Sequence, residues 1–424
     1  MKKRRVVITG LGIVAPNGIT VASFNQAIRN GSSGIRHIEK LKELNFSCQI
    51  AGKPIYNKEY LNNYFNSAQL RGLNASGVEY GVIAGIDAWK DAGLAIPGKK
   101  EEALWDAGVI FGTGILGVDK FREAIYKVDD GKVRRLGSTS VIQTMASGIS
   151  AYLGGILGCG NIATTNSSAC STGTEGLLMA YDRIVTGKAE IILTGSTSDS
   201  GPYVWGGFDA MRILPYTYNE NPTEASRPMS ASASGFVPGS GAGALVVESL
   251  ESAQKRNVPI YAEILGGHVN SGGQRNGGSM TAPNPLAVQK CIQQAVQNAD
   301  IKTSDIDVIN GHLTATAKDT DEIINWSKAL DRQGKNFPYI NSLKSLVGHC
   351  LAASGSIESV ATILQLKEDF IFGNINCEDV HPDIVSIVSR ERIPTKTIHT
   401  SVDIIAKASF GFGDVNACII FKKF

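Results

Sequence analysis

Three segments of this chain carry residue types that can make and break bonds at a carbonyl. The first is Thr165-Asn166-Ser167-Ser168-Ala169-Cys170-Ser171-Thr172-Gly173-Thr174, where a β-rich run reaches a cysteine and a helical pattern follows. A thiol at such a turn sits on the positive end of the helix dipole, which lowers its pKa and raises its thiolate fraction. Cys170 therefore reads as a nucleophile, although this segment alone fits a buried, inert cysteine equally well. The second segment is Asn310-Gly311-His312-Leu313-Thr314-Ala315-Thr316. The imidazole of His312 can transfer a proton or donate to a developing oxyanion, and Thr314 and Thr316, two apart, can hydrogen-bond an extended amide-bearing chain. A structural histidine fits this segment as well. The third runs from Asn341 to Ser356, with Lys344 five positions ahead of His349. A cation close to a histidine disfavours a second positive charge and keeps the imidazole neutral, which suits hydrogen-bond donation. The plainer alternatives are a surface lysine and a packing histidine at a helix start.

The elements that must position these groups alternate in type. Apolar β-branched runs at Val6–Gly10, Ala107–Gly112 and Ile191–Gly195 are separated by helical patterns, which predicts an α/β architecture with sheets covered by helices. Over 171–187 the helical period places Leu177, Leu178, Tyr181, Ile184 and Val185 on one side and stops at Gly187. Near 250–260 a strand ends at Glu248, a charged stretch runs from Glu251 to Arg256, and a new strand begins at Ile260, which marks a join between two halves. The strand before the cysteine, Ile162–Asn166, has a rough counterpart in Asp305–Asn310, which suggests a duplicated fold. Small-residue stretches at Val237–Gly243, Asn270–Ser279 and Ser409–Asp414 lack the Lys-Ser/Thr ending of a phosphate loop and read as walls beside a site.

Composition narrows the setting. The 41 Lys and Arg nearly balance 39 Asp and Glu, so nothing global favours nucleic acid or an anionic membrane, and an acidic partner must be met by a local patch. Basic residues open the chain as in a signal peptide, but Thr9, Gly10, Gly12 and Pro16 interrupt the apolar run, which predicts a buried first strand. No stretch reaches the roughly 18 to 20 apolar residues of a membrane span, and the expected location is cytoplasmic. Seven scattered cysteines without a C-x-x-C pair fit reduced thiols and offer no zinc template.

Taken together, the three segments resemble the β-ketoacyl-carrier-protein synthases of the elongating type, members of the thiolase-like superfamily. Supporting motifs run along nearly the whole chain: Val6–Gly12, Gly112-Thr113-Gly114-Ile115, Arg227-Pro228 with Gly235-Phe236-Val237, Gly239–Gly243, and Ser409-Phe410-Gly411-Phe412-Gly413. The resemblance implies a five-layered αβαβα fold from two duplicated halves, 1–250 with the nucleophile and 251–424 with the two histidines. It implies that Cys170 accepts an acyl group from acyl carrier protein, and that malonyl-carrier protein then loses carbon dioxide and condenses with it. In that family chemistry His312 and His349 steady the enolate. The backbone N–H groups of Cys170 and Phe410 form the acyl oxyanion hole, and Phe410 also gates the nucleophile. Thr314 and Thr316 grip the phosphopantetheine arm, Ile115 bounds the acyl pocket, and no metal or redox cofactor is needed.

The resemblance also implies an acidic carrier protein docking on basic residues, with Arg212 matching a family docking arginine and Lys132, Arg134 and Arg135 forming a second cluster. It implies a homodimer. Several positions depart from the family pattern. Leu313 replaces a glycine, Ala315 a small hydroxyl residue, Met229–Ser234 a charged stretch, and Asp414-Val415 a glycine-threonine pair. The stretch from Thr316 to Asp319 is one residue short, which bears on Glu322 as the partner of Lys344. These changes border the site without removing its chemical groups, and point to a divergent branch in fatty-acid or specialised polyketide-like synthesis. The rival from another class is a catalytically silent, chain-length-determining subunit of a heterodimer, against which the retained Cys170, His312, His349 and Lys344 argue. Thiolases and initiating synthases pair their cysteine with His and Cys or His and Asn, whereas two histidines stand here.

Overall fold

The computed structural model describes residues 4–424, so Met1, Lys2 and Lys3 of the basic start lie outside the described residues. Ten strands build the main sheet: β1 Val6–Val14, β2 Ala107–Thr113, β3 Ala163–Thr164, β4 Ile191–Ser198, β5 Gly241–Ser249, β6 Ala262–Ser271, β7 Val308–Asn310, β8 Tyr339–Asn341, β9 Ile404–Gly411 and β10 Val415–Lys423. Their order is β8-β7-β9-β10-β6-β1-β5-β4-β2-β3. β1 is buried along its whole length, in keeping with its unbroken apolar and small-residue run.

β1 and β6 touch only through Val6–Ile8 and Ala262–Ile264, so the sheet is two five-stranded halves joined at a narrow seam. Outward from β1, the pairings with β5 and then β4 are antiparallel, and those with β2 and then β3 are parallel. Outward from β6, β10 and β9 are antiparallel and β7 and β8 parallel, the same sequence of pairings. The halves therefore share one topology. The matching corrects one expectation: β3, ahead of Cys170, corresponds to β8, ahead of His349, and not to the strand ahead of His312, whose counterpart is β2. Both candidates are short β-branched runs ending at a reactive residue, and order across a sheet is not encoded in local pattern.

Helices complete five layers. α1 (Ser76–Asp91) and α2 (Gly148–Leu157) cover the outer face of the first half-sheet. α3 (Thr172–Val185) and α6 (Ser354–Glu368) lie between the half-sheets, and α4 (Pro285–Asn298), flanked by α5 (Lys318–Leu330), covers the second. α6 is buried all round from Ser354 to Leu366, the expected state of a helix enclosed on every side.

The first turns of α3 and α6 meet almost backbone to backbone. A Cβ on Gly173 would lie 2.3 Å from the Ser356 nitrogen, and one on Gly355 would lie 2.5 Å from the Thr174 nitrogen. This contact places the residues just before the two helices, Cys170 and His349, in one space. Gly173→Ala should therefore destabilise the protein by about 1 to 3 kcal/mol, because a backbone contact cannot yield as a side chain would. Gly155→Ala on α2, where a Cβ meets open space, should be neutral or stabilising by up to about 1 kcal/mol. Urea unfolding of the two variants checks the contrast.

Candidate active site

Cys170 occupies a short 3-10 turn, Ala169–Ser171, between β3 and α3. Ala169 has φ +48°, a left-handed conformation costly for a residue with a Cβ, and the surroundings hold it there. Ser171 Oγ donates to the carbonyl of Val415 at 2.9 Å, Thr172 Oγ1 donates to that of Ala169 at 2.6 Å, and Thr172 Oγ1 accepts the Ser168 N–H at 2.9 Å. The expected lowering of the thiol pKa is not the net result. Burial pushes the Cys170 thiol up from its usual value, while the Lys344 ammonium and the N–H of Phe412 oppose that rise. Free Cys170 is thus held mainly as a thiol that must shed its proton on attack.

Around it stand the two histidines: the Cys170 sulfur and one nitrogen of each imidazole lie within 4.8 Å of one another. The rings of His312 and His349 are edge to face, with centroids 5.4 Å apart. His349 Nδ1 accepts the N–H of Leu351 at 3.0 Å, so the neutral ring carries its proton on Nε2 and has that donor free. Its backbone is pinned by an N–H donated to the Val237 carbonyl at 2.7 Å and a carbonyl accepting from Gly239 at 2.8 Å. The ring packs against Phe236. His312 follows β7, and its Nδ1 is buried without a hydrogen-bond partner among the described residues. Burial, then Lys344, holds both imidazoles well below the usual histidine pKa, so both are neutral donors through the physiological range.

Lys344 does not pair with Glu322. Its Nζ donates to Glu358 on α6, and both groups are almost wholly buried. Glu322, on α5, instead accepts the N–H groups of His312 and Leu313 at 2.7 Å each and so fixes the loop that carries His312. Burial raises its pKa to about 7. Asp319 does the same one turn earlier, accepting from Thr314 at 2.8 Å and Ala315 at 3.1 Å. Lys407, on β9, approaches the second oxygen of Glu358 at 3.0 Å. Glu358→Gln would leave two buried ammonium groups without their counter-charge and should cost about 3 to 5 kcal/mol, read as a lower urea midpoint at pH 7.

The three reactive groups line one cavity of about 800 Å3. Ile115, Val204, Phe208, Met211, Ile213, Phe236 and Leu351 give it apolar walls, and Thr314, Thr316 and Lys318 also border it. The hydroxyls of Thr314 and Thr316 are 3.0 Å apart. Ile115 is half exposed. The second N–H aimed at the thiol belongs to Phe412, not Phe410. Phe410 is the penultimate residue of β9, laddered opposite Asn416 and buried, with its ring 6.3 Å from that of His312. Phe412 lies in the following turn, half-buried, 6.3 Å from the ring of Phe208. None of Arg212, Lys132, Arg134 and Arg135 lines the cavity; all four are exposed, and Lys132 is paired with Asp130 at 2.8 Å. Sequence reasoning missed Glu358, Asp319 and Phe412. The second phenylalanine of Phe410-Gly411-Phe412 was the available signal for the last.

The family model described as β-ketoacyl synthase, N-terminal domain, matches residues 3–253, and that of the C-terminal domain matches 261–378. The 3-oxoacyl-[acyl-carrier-protein] synthase 2 of Vibrio harveyi is 33% identical over 431 residues, spanning 100% of this chain and 99% of the relative. The chloroplastic 3-oxoacyl-[acyl-carrier-protein] synthase I of Arabidopsis thaliana is 32% identical, spanning 100% of this chain and 87% of the relative. A type II polyketide ketosynthase, solved in complex with its acyl-carrier protein and bound to a hexaketide, superposes with a TM-score of 0.87 at 28% identity over 100% of both chains. A β-ketoacyl synthase from Burkholderia phymatum gives 0.88 at 27% identity, over 99% of this chain and 100% of that one.

Proposed function

This chain belongs to the β-ketoacyl synthase family, and from that premise we propose that it elongates an acyl chain on Cys170 by decarboxylative condensation with malonyl-acyl carrier protein. The observation that carries this reading is the convergence of the Cys170 sulfur and two neutral imidazoles within 4.8 Å at one apolar cavity. In the first half-reaction Cys170 Sγ attacks the acyl thioester carbonyl and the carrier's pantetheine thiol leaves with the proton. The backbone N–H groups of Cys170 and Phe412 face the oxyanion. In the second, the malonyl C–C bond breaks, carbon dioxide leaves, and the electron pair forms an enolate whose oxygen is met by His312 and His349. The enolate carbon attacks the Cys170 thioester, and collapse of the adduct releases the β-keto product, two carbons longer, and Cys170 as a thiolate, which takes up one proton from solvent to return to the thiol. No step of this proposed reaction is a net oxidation or reduction, so it calls for no redox cofactor, and the two imidazoles take the place a metal would have at the enolate oxygen.

Thr314 and Thr316, at the cavity wall, suit the amides of a phosphopantetheine arm, and the half-buried ring of Phe412 suits a gate. Arg212, adjoining the cavity-lining Met211 and Ile213, suits an acidic carrier protein, with Arg134 and Arg135 as a second contact. The helix Val118–Asp129 exposes Phe121, Ile125 and Tyr126, and Val141 is exposed nearby in sequence, a face that a second copy of the chain would cover in a homodimer. No helix of the described residues is long and apolar enough to cross a membrane. Seven unpaired cysteines suit a reducing, cytoplasmic setting. The expected result with acyl- and malonyl-carrier protein, over a range of acyl lengths, is a β-ketoacyl product by mass. Absence of both acylation and product at every length would favour a silent partner subunit.

A further inference from the structure

Lys407 is a second wholly buried lysine beside the site, and nothing in the reaction as derived uses it. It stands on β9, three residues before Phe410. Its Nζ donates to Thr174 Oγ1 on α3 at 2.7 Å and to Ser409 Oγ, and makes an ion-pair contact with Glu358 Oε2 on α6 at 3.0 Å. Lys344 holds the other oxygen of the same carboxylate. One carboxylate is thus shared by two ammonium groups, each at most 1% exposed. Burying a lysine is costly, and a chain that needed only a counter-charge for Lys344 already had it in Glu358. A strand residue here could as well be apolar. With both lysines protonated this group carries one surplus positive charge; burial lowers the pKa of Lys407 and the Glu358 carboxylate opposes that, and the charge acts on both imidazoles in a medium that screens it poorly.

We propose that Lys407 is a positioning residue for the decarboxylating half of the reaction, bracing Glu358 from the side opposite Lys344 and setting a second cation behind His312 and His349, so that both rings meet the malonyl thioester as neutral donors. It ties β9 to the first turn of α3 and the second turn of α6, the two helices whose close approach brings Cys170 and His349 together. The titratable groups around the rings are Cys170, Lys344, Glu358 and Lys407, with Asp319 and Glu322 behind the His312 loop. Of these, Lys344 and Lys407 both act to lower the imidazole pKa values. Removing either charge must therefore raise them. Lys407 thereby favours an enolate oxygen over a protonated ring at the same place. The role rests on the condensing reading of the site; its effect on the rings does not.

The test is an NMR titration of the imidazole signals in the substrate-free enzyme, assigned with His312→Ala and His349→Ala. In Lys407→Met and Lys407→Gln the midpoints of His312 and His349 should rise by at least about half a pH unit, with Lys407→Arg returning them toward the parent values. With malonyl-carrier protein, kcat for decarboxylation should fall about tenfold in the neutral variants while KM stays unchanged. Titration curves that superimpose on the parent's would overturn the proposal, whatever happens to thermal stability. So would a chain in which neither neutral variant folds while the arginine variant does, since that assigns Lys407 to the fold alone. The titration needs no substrate, so loss of the condensing reading, seen as no β-keto product from the parent enzyme, leaves it readable.

Discussion

Cys170→Ala should abolish covalent acylation and lower β-ketoacyl formation by about 10^5-fold or more, a nucleophile loss of the size seen when a covalent route is removed. The fold should survive it. Cys170 lies in a turn secured by Ser171, Thr172 and Ser168, none of which bonds through the thiol. The substitution should leave decarboxylation of malonyl-carrier protein in place, because His312, His349 and the Lys344–Glu358 pair are untouched by it. Release of carbon dioxide without product is therefore the expected signature. A variant that lost both steps would show that the sulfur organises the imidazoles as well as carrying the acyl group.

His349→Ala and His312→Ala should each lower condensation by about 10^2- to 10^3-fold, the usual effect of removing one donor to a developing oxyanion, while acyl transfer to Cys170 stays within about threefold. The split follows from geometry. In the proposed reaction the donors to the acyl carbonyl are the backbone N–H groups of Cys170 and Phe412, which point at the thiol and which neither substitution removes. His349 should be the more sensitive to polar replacement, because its tautomer is set by the Leu351 N–H at Nδ1, whereas His312 Nδ1 has no such partner among the described residues. The double variant should be little worse than either single one, since the two rings act on one oxygen. Both rings are held neutral by burial and by Lys344, so the acid limb of condensation should lie below pH 6.5, where an ordinary imidazole would take up its proton. A limb centred at 6.5 that vanished in either variant would contradict this.

The segments bearing Cys170, His312 and His349 were legible as local patterns of strand, turn and reactive residue, but each alone fits a structural residue as well, and their roles were legible only from the three together and their resemblance to a known family. Cys170, His312, His349 and Lys344 lie where those patterns put them, at one cavity or directly behind it. What was not legible depends on distance in the chain or on which way a turn faces. Glu358 follows Lys344 by fourteen residues and meets it only because α6 folds back beneath the loop. Glu322 is nearer to His312 in sequence, and its carboxylate is taken by two backbone N–H groups. Phe410 and Phe412 are two residues apart, and only the end of β9 decides which N–H reaches the thiol. The Cys170 thiol is pushed up where the helix-dipole argument expected a lowering, because burial outweighs the Lys344 ammonium and the Phe412 N–H. The matched topology of the two half-sheets rests on ladder pairings that local patterning does not carry.

The central claim is that Cys170 alone carries the acyl chain and that the two histidines serve the later step. The most direct measurement is peptide mass mapping after incubation with acyl-carrier protein, in the parent chain, His312→Ala and His349→Ala. The expected result is one acyl adduct, on the Cys170 peptide, at comparable occupancy in all three. An adduct on another of the seven cysteines, or occupancy lost equally with either histidine, would contradict the account.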